Sequence, residues 1–62
     1  MIDIRWQYES EQYVAWRGPV IMGSVSRIAS EQWEAWALGS TSKMTFKRLP
    51  VAQAWVEKRA EA

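Results

Sequence analysis

The first two thirds of the chain carry strand signals: residues 4–8 alternate between apolar and polar side chains, as strands with one buried face do. Residues 13–17 predict a second strand after a polar break at 9–12. Gly18-Pro19 marks a turn, because glycine tolerates a positive φ and proline lacks the N–H that a strand ladder needs. The pattern predicts three further strands, at 20–28, 33–38 and 43–46, joined by loops at 29–32 and 39–42.

The period changes near residue 49, where apolar residues recur at spacings of three and four and so line one helical face. These residues are Leu49, Ala52, Val56 and Ala60. Pro50 suits the first turn of a helix over about 49–61, although Arg48 or Leu49 stands where a polar cap is usual. The sequence predicts one α+β domain over 1–62: an antiparallel β-meander of three to five strands, about 3–46, packed against one C-terminal α-helix.

One helix covers one face of a sheet, so strand alternation divides the side chains into a covered set and an open set. Ala35 and Ala37 suit a close helix, whereas Glu34 needs water. The set predicted to face the helix is Tyr13, Ala15, Ile21, Gly23, Val25, Trp33, Ala35 and Ala37. The set predicted to lie on the open face is Val14, Trp16, Met22 and Trp36. The alternative is a one-residue shift of register, which would move a Trp of the open set into the core.

Composition removes several classes of function. The 62 residues include 8 Lys+Arg and 7 Asp+Glu, a net charge of +1, no His, no Cys and 5 Trp. Without Cys there is no disulfide or thiol nucleophile, and without His or Cys there is no ordinary zinc site and no imidazole base. We therefore predict no cofactor and no metal.

A small core is the physical problem of so short a chain, which buries only about 60% of its unfolded surface. Large aromatic side chains, self-association or both would compensate. We predict Trp33 and Trp6 as core, Trp55 as the border of the core, and Trp16 with Trp36 as contact residues. No apolar run approaches the ~20 residues of a membrane span, and a secretory leader pattern is lacking, so a cytoplasmic protein without a membrane partner is expected.

The sequence evidence for a catalytic site is weak. Glu9 and Glu11 have the i,i+2 spacing of a carboxylate pair for hydrolysis, but solvated turn residues are the favoured interpretation. The serines have no His to activate them, no motif supports a Ser-Lys pair, and the three glycines are too isolated for a phosphate loop. We predict that the chain is not an enzyme.

Basic residues define the alternative function, nucleic-acid binding. The candidates for phosphate contact are Arg17, Arg27, Lys43, Lys47 and Arg48. The last three have no acidic residue between Glu34 and Glu57, so they form a local basic patch, with exposed Trp side chains available to stack on bases. The near-zero net charge favours a solvated loop instead.

A pattern over residues 23–62 carries a family resemblance: Gly23, Val25, Trp33-Glu34-Ala35, Leu38-Gly39 and Phe46, then an Ala-rich helix. It resembles the three-stranded-sheet-plus-helix DNA-binding domains of plant ethylene-response factors and phage-integrase amino termini. The resemblance implies DNA contact by Arg side chains on the open sheet face. This chain differs there, since it has Trp16, Met22, Glu34 and Trp36, and residues 40–45 separate Leu38-Gly39 from Phe46.

The chain also resembles short phage and prophage proteins, which implies an accessory or host-directed role in a bacterial or phage-infected cell. Exposed Trp and Met clusters mark contact surfaces, because monomers seldom expose large apolar patches. We therefore predict a protein-interaction module that binds a protein, or a second copy of itself, through Trp16, Trp36, Met22 and Val14.

Overall fold

Five strands and one helix make up residues 3–61, which are the residues that the computed structural model describes. The elements are β1 (Arg5–Glu9), β2 (Gln12–Arg17), β3 (Val20–Ala29), β4 (Gln32–Ala37), β5 (Met44–Phe46) and α1 (Leu49–Glu61). The strands form one antiparallel sheet in chain order. The predicted α+β meander with a C-terminal helix is confirmed, and each strand boundary lies within one residue of its prediction. The predicted span of 1–62 also includes Met1, Ile2 and Ala62, which lie outside the described residues.

Tight turns join the first four strands. Ser10 and Glu11 have φ values of 50° and 61°, so the predicted polar break is a two-residue turn of the kind that follows the twist of a hairpin. Gly18, at φ 59°, takes the first central position of the next turn, where a positive φ favours glycine, and Pro19 takes the second. Glu31, at φ 60°, lies in the third turn.

The core between sheet and helix consists of small side chains. Its fully buried members are Ala15, Val25, Ala35, Ala52 and Val56. Gly23 explains the close approach of α1, because a Cβ there would meet the Trp36 carbonyl oxygen and lie 2.7 Å from Val56 Cγ1. We call this side of the sheet the helix face and the other side the open face.

Larger side chains surround the small core on the helix face. They are Ile4, Trp6, Tyr13, Trp33, Phe46, Leu49 and Trp55. Trp6 Nε1 donates a hydrogen bond to Glu57 Oε2 at 2.8 Å and so joins β1 to α1. The Arg59 guanidinium lies 5.3 Å from the centroid of the Trp55 ring. Trp55 thus borders the core, as predicted, whereas Trp6 and Trp33, which were predicted as core, are half-buried and pack around the buried cluster.

The helix begins without a polar cap. The Arg48 carbonyl accepts a hydrogen bond from the Ala52 N–H at 3.2 Å, which makes Arg48 the N-cap residue. Its side chain carries no oxygen that could accept a bond from the free N–H groups of the first turn. At the other end, Lys58 and Arg59 lie in the last turn, where positive charge is favourable.

A β-bulge in β3 changes one predicted orientation. Ala15 pairs with Gly23 but Trp16 pairs with Ile21, so Met22 is an extra residue on β3. Beyond a bulge the alternation of side chains is inverted, and Ile21 therefore shares the open face with Trp16, where it is 41% exposed. The prediction that Ile21 faces the helix is wrong for this reason.

Candidate interaction surface

The open face carries three rows of side chains that run across the strands. Register and alternation define them. The apolar row contains Arg5, Trp16, Ile21, Met22 and Leu38. The middle row contains Gln7, Val14, Ser24 and Trp36. The polar row contains Glu9, Gln12, Ser26, Glu34 and Thr45.

No helix or strand within residues 3–61 packs on these rows, because α1 contacts β3, β4 and β5 from the helix face. Leu38 ends the apolar row, where its N–H donates to the Met22 carbonyl at 2.8 Å. Its side chain is 52% exposed, whereas Trp16, Met22 and Trp36 are half-buried. The open face is therefore an apolar surface with a mixture of recessed and projecting side chains.

Val14 lies at the bottom of this surface. Its place on the open face agrees with the prediction, but the side chain is only 4% exposed, so the prediction that it is available for contact is wrong. The large side chains near it on this face are Trp16, two residues along the strand, and Trp36, in the same row. They are the large groups that are placed to shelter Val14 from solvent.

Trp16 carries an unsatisfied polar group. Its Nε1 nitrogen is buried, and the part of the chain that the structure describes offers it no hydrogen-bond partner. A buried N–H without an acceptor costs about 1–3 kcal/mol. Proteins keep few such groups.

The polar row borders the surface. Glu34 Oε1 lies 3.5 Å from Lys43 Nζ, an exposed ion pair that contributes little to stability. Because Lys43 faces this carboxylate, it is less available to a phosphate. Glu9 lies in β1 and Glu11 in the turn that follows, and both side chains are exposed to solvent. Neither side chain therefore has the burial that a carboxylate pair needs if one of its members is to act as a general acid.

The predicted phosphate-contact residues do not come together on the open face. Arg17 follows Trp16 and so points to the opposite side of the sheet, and Arg27 pairs with Trp33 on the helix face. Arg27 Nε donates to the Ala29 carbonyl at 3.4 Å at the exposed end of β3. Lys47 and Arg48 lie between β5 and α1.

A shallow groove lies at this end of the sheet. Its lining residues are Ser30, Glu31, Gln32, Thr45, Phe46 and Lys47. Lys47 and Glu31 carry opposite charges, so the groove is not a basic site. Within residues 3–61 no three His, Cys, Asp or Glu side chains group as metal ligands would, and no helix is long and apolar enough to cross a membrane.

Sequence reasoning missed two members of the surface, Ile21 and Leu38. Alternation already grouped Leu38 with Trp36, so the signal for it was present. The sequence carried no such signal for Ile21, because nothing in residues 20–25 shows which residue of β3 forms the bulge. Comparisons with protein-family models, with curated proteins and with solved structures found no match to this chain.

Proposed function

We propose that the chain is a small non-enzymatic protein-interaction module that binds a protein partner through its open face. One observation carries the proposal: a row of apolar side chains lies uncovered on the side of the sheet opposite the helix. Folded chains bury such surfaces when they can, and an exposed apolar patch is typical of a binding site.

The side chains of this surface suit protein contact. Trp16 and Trp36 are of the residue type most enriched among interface hot spots. Met22 is flexible and adapts its shape to a partner. The polar row supplies a rim of hydrogen-bonding groups beside the apolar centre, which is the usual anatomy of an interface between proteins.

Nucleic-acid binding through the open face has less support. Arg17 and Arg27 point to the other side of the sheet, Lys43 is paired with Glu34, and Arg5 is the one base in the three rows. A protein that relies on phosphate contacts loses affinity steeply as salt increases. Steep salt dependence of binding to a duplex or a single strand would favour this alternative over protein contact.

The cellular setting of the proposal rests on a resemblance of the sequence. The resemblance to short phage and prophage proteins supports an accessory role in the cytoplasm of a bacterial or phage-infected cell. The family resemblance to sheet-plus-helix DNA-binding domains supports the fold more than the activity, because β3, β4, β5 and α1 reproduce its element order while its Arg positions are occupied by other residues.

The test compares two substitutions of exposed aliphatic side chains. Leu38→Glu introduces a charge on the open face, and Val51→Glu introduces the same charge on the helix, where Val51 is 49% exposed. We expect the tagged protein to retain partners from a cell extract and Leu38→Glu to lose them because an unpaired charge must be desolvated on contact.

Val51→Glu is the matched control and is expected to retain the same proteins. Trp16→Ala and Trp36→Ala are expected to weaken retention while their circular dichroism spectra stay unchanged. If Leu38→Glu retains the same proteins as the unmodified chain, the open face is not the binding surface and the proposal is wrong.

A further inference from the structure

We infer that two copies of this chain associate through the free edge of β1, which pairs antiparallel with β1 of the second copy about a two-fold axis at Gln7. The two five-stranded sheets then form one sheet of ten strands, with both helices on the same side. This contact is separate from the open face, so the inference goes beyond the proposed function and does not depend on it.

The chain order of the sheet makes β1 and β5 its edge strands. β5 is protected from further pairing, because it has only three residues and because Lys43 and Lys47 flank it. β1 has five residues and no proline, lysine or bulge, and within residues 3–61 no strand pairs with its outer side. It therefore lacks the usual features that keep an edge strand from pairing with another chain.

The hairpin turn determines which backbone groups of β1 point outward. Glu9 and Gln12 flank the two-residue turn and lie opposite each other, so they form a hydrogen-bonded pair. Hydrogen-bonded pairs alternate along an antiparallel ladder, so every second residue before Glu9 also directs its N–H and C=O groups to β2. The N–H and C=O groups of Trp6 and Tyr8 therefore point away from the sheet.

These outward groups restrict the register with a second copy. With the axis at Gln7, Trp6 lies opposite the partner's Tyr8, and Tyr8 lies opposite the partner's Trp6. Each of these pairs exchanges two N–H···O bonds, because both of its members point outward. A shift of one residue would instead place outward groups opposite groups that already bond to β2. The Gln7 side chains meet at the axis, where one amide donates to the other.

Charge complementarity selects the same register and a second copy as the occupant. Arg5 lies opposite the partner's Glu9, and the two-fold axis repeats this pair of opposite charges. Both side chains are exposed, and within residues 3–61 neither takes part in an ion pair. Within one copy they are four residues apart along the strand, about 13 Å, which is too far for mutual contact. A shift of two residues would keep outward groups opposite each other but would lose both charge pairs.

The aromatic side chains of β1 also match on the helix face. Tyr8 is 64% exposed, more than any other large apolar side chain in residues 3–61. The pairing places it beside the partner's Trp6, and aromatic pairs across antiparallel strands stabilise their association. Only the five residues of β1 meet in each copy, so the contact is small and belongs to the weak and reversible class.

The first experiment is amide hydrogen exchange, followed by NMR from micromolar to millimolar concentrations of the purified chain. We expect the Trp6 and Tyr8 amides to exchange more slowly as concentration rises, because carbonyl groups of the partner protect them. The amides of Gln7 and Glu9 already bond to β2, so they are the internal control and should keep their exchange rates.

The second experiment exchanges the two charges and measures the monomer–dimer equilibrium by sedimentation. Arg5→Glu and Glu9→Arg should each weaken the dimer by about 10-fold or more, because each places two like-charged pairs across the axis. The double variant R5E/E9R restores opposite charges and should return the affinity to within about 3-fold of the unmodified chain. Arg17→Glu changes the net charge as Arg5→Glu does but lies outside β1, so it should leave the equilibrium unchanged. Circular dichroism checks that the variants fold, as expected for exposed side chains.

Three results would overturn the inference: a monomer at every concentration, Trp6 and Tyr8 amides whose exchange ignores concentration, or a double variant that binds no more tightly than either single one. A dimer that Leu38→Glu abolishes would place self-association on the open face and would overturn it as well. The proposed function is tested separately. A monomer whose capture of other proteins depends on Leu38 refutes the dimer alone, whereas a normal dimer of Leu38→Glu that still captures the same proteins refutes the proposed function alone.

Discussion

Gly23 shows how one residue determines the distance between two elements. The missing side chain lets Val56 of α1 come down on β3, and the neighbouring Ala35 and Ala37 extend the low surface on which the helix lies. The sequence marked Gly23 as a strand glycine, for which a bulge or a close contact are the usual reasons. The structure has both near this position, since the bulge begins at Met22.

Substitution of Gly23 by Ala should destabilise the fold. The added methyl group would meet the Trp36 carbonyl oxygen, which is backbone and cannot rotate away, so we expect the free energy of unfolding to fall by about 1–3 kcal/mol. Urea denaturation measures this loss. Ser24→Ala, one residue on and on the open face, is the control, expected within about 0.5 kcal/mol of the unmodified chain. An unchanged or higher stability of Gly23→Ala would contradict this account of the packing.

At the scale of the elements, local sequence determined nearly every boundary. The turn residues Ser10, Glu11, Gly18 and Pro19 lie between strand-forming runs, and the change to a period of three and four placed α1. Orientation was harder to predict than location, because one extra residue in β3 inverts the faces beyond it. Ile21 was assigned to the wrong side on that account, while Trp16 was not, because it lies on β2, which carries no extra residue.

A substitution at the N-cap of α1 should increase the stability of the protein. Arg48→Asp would supply a side-chain oxygen to the free N–H groups of the first turn and a negative charge at the positive end of the helix. We expect the free energy of unfolding to rise by about 0.5–2 kcal/mol in thermal or urea denaturation. Lys47→Asp changes the net charge equally but lies one residue before the cap, so it should give at most a few tenths of a kcal/mol. Equal gains from both would attribute the effect to charge alone.

The whole molecule has a sheet that the helix covers on one side only. Its fully buried side chains are small, with Val25 and Val56 the largest, and the three tryptophans near the helix supply packing that is only half-buried. A protein partner on the open face would add apolar contact that this small core lacks, so binding of that partner should also stabilise the fold.

The sequence by itself determined an antiparallel meander of three to five strands, its C-terminal helix and the chemistry that composition excludes. These properties follow from local periodicity, turn residues and composition, which neighbours along the chain decide. Alternation along the strands also placed Trp16 and Trp36 on the open face, and the apolar stripe of the helix, from which Trp55 is offset, placed Trp55 at the border of the core.

The tertiary structure decided the features that depend on strand register and side-chain packing, namely which face a side chain lies on and how deeply it is buried. The bulge at Met22 moved Ile21 to the open face, the surrounding side chains buried Val14, and the two faces of the sheet separated Arg17 and Arg27 from Trp16 and Trp36. Each depends on how residues distant in sequence come to lie against each other. A one-residue shift costs little within a strand and yet reverses every side chain beyond it.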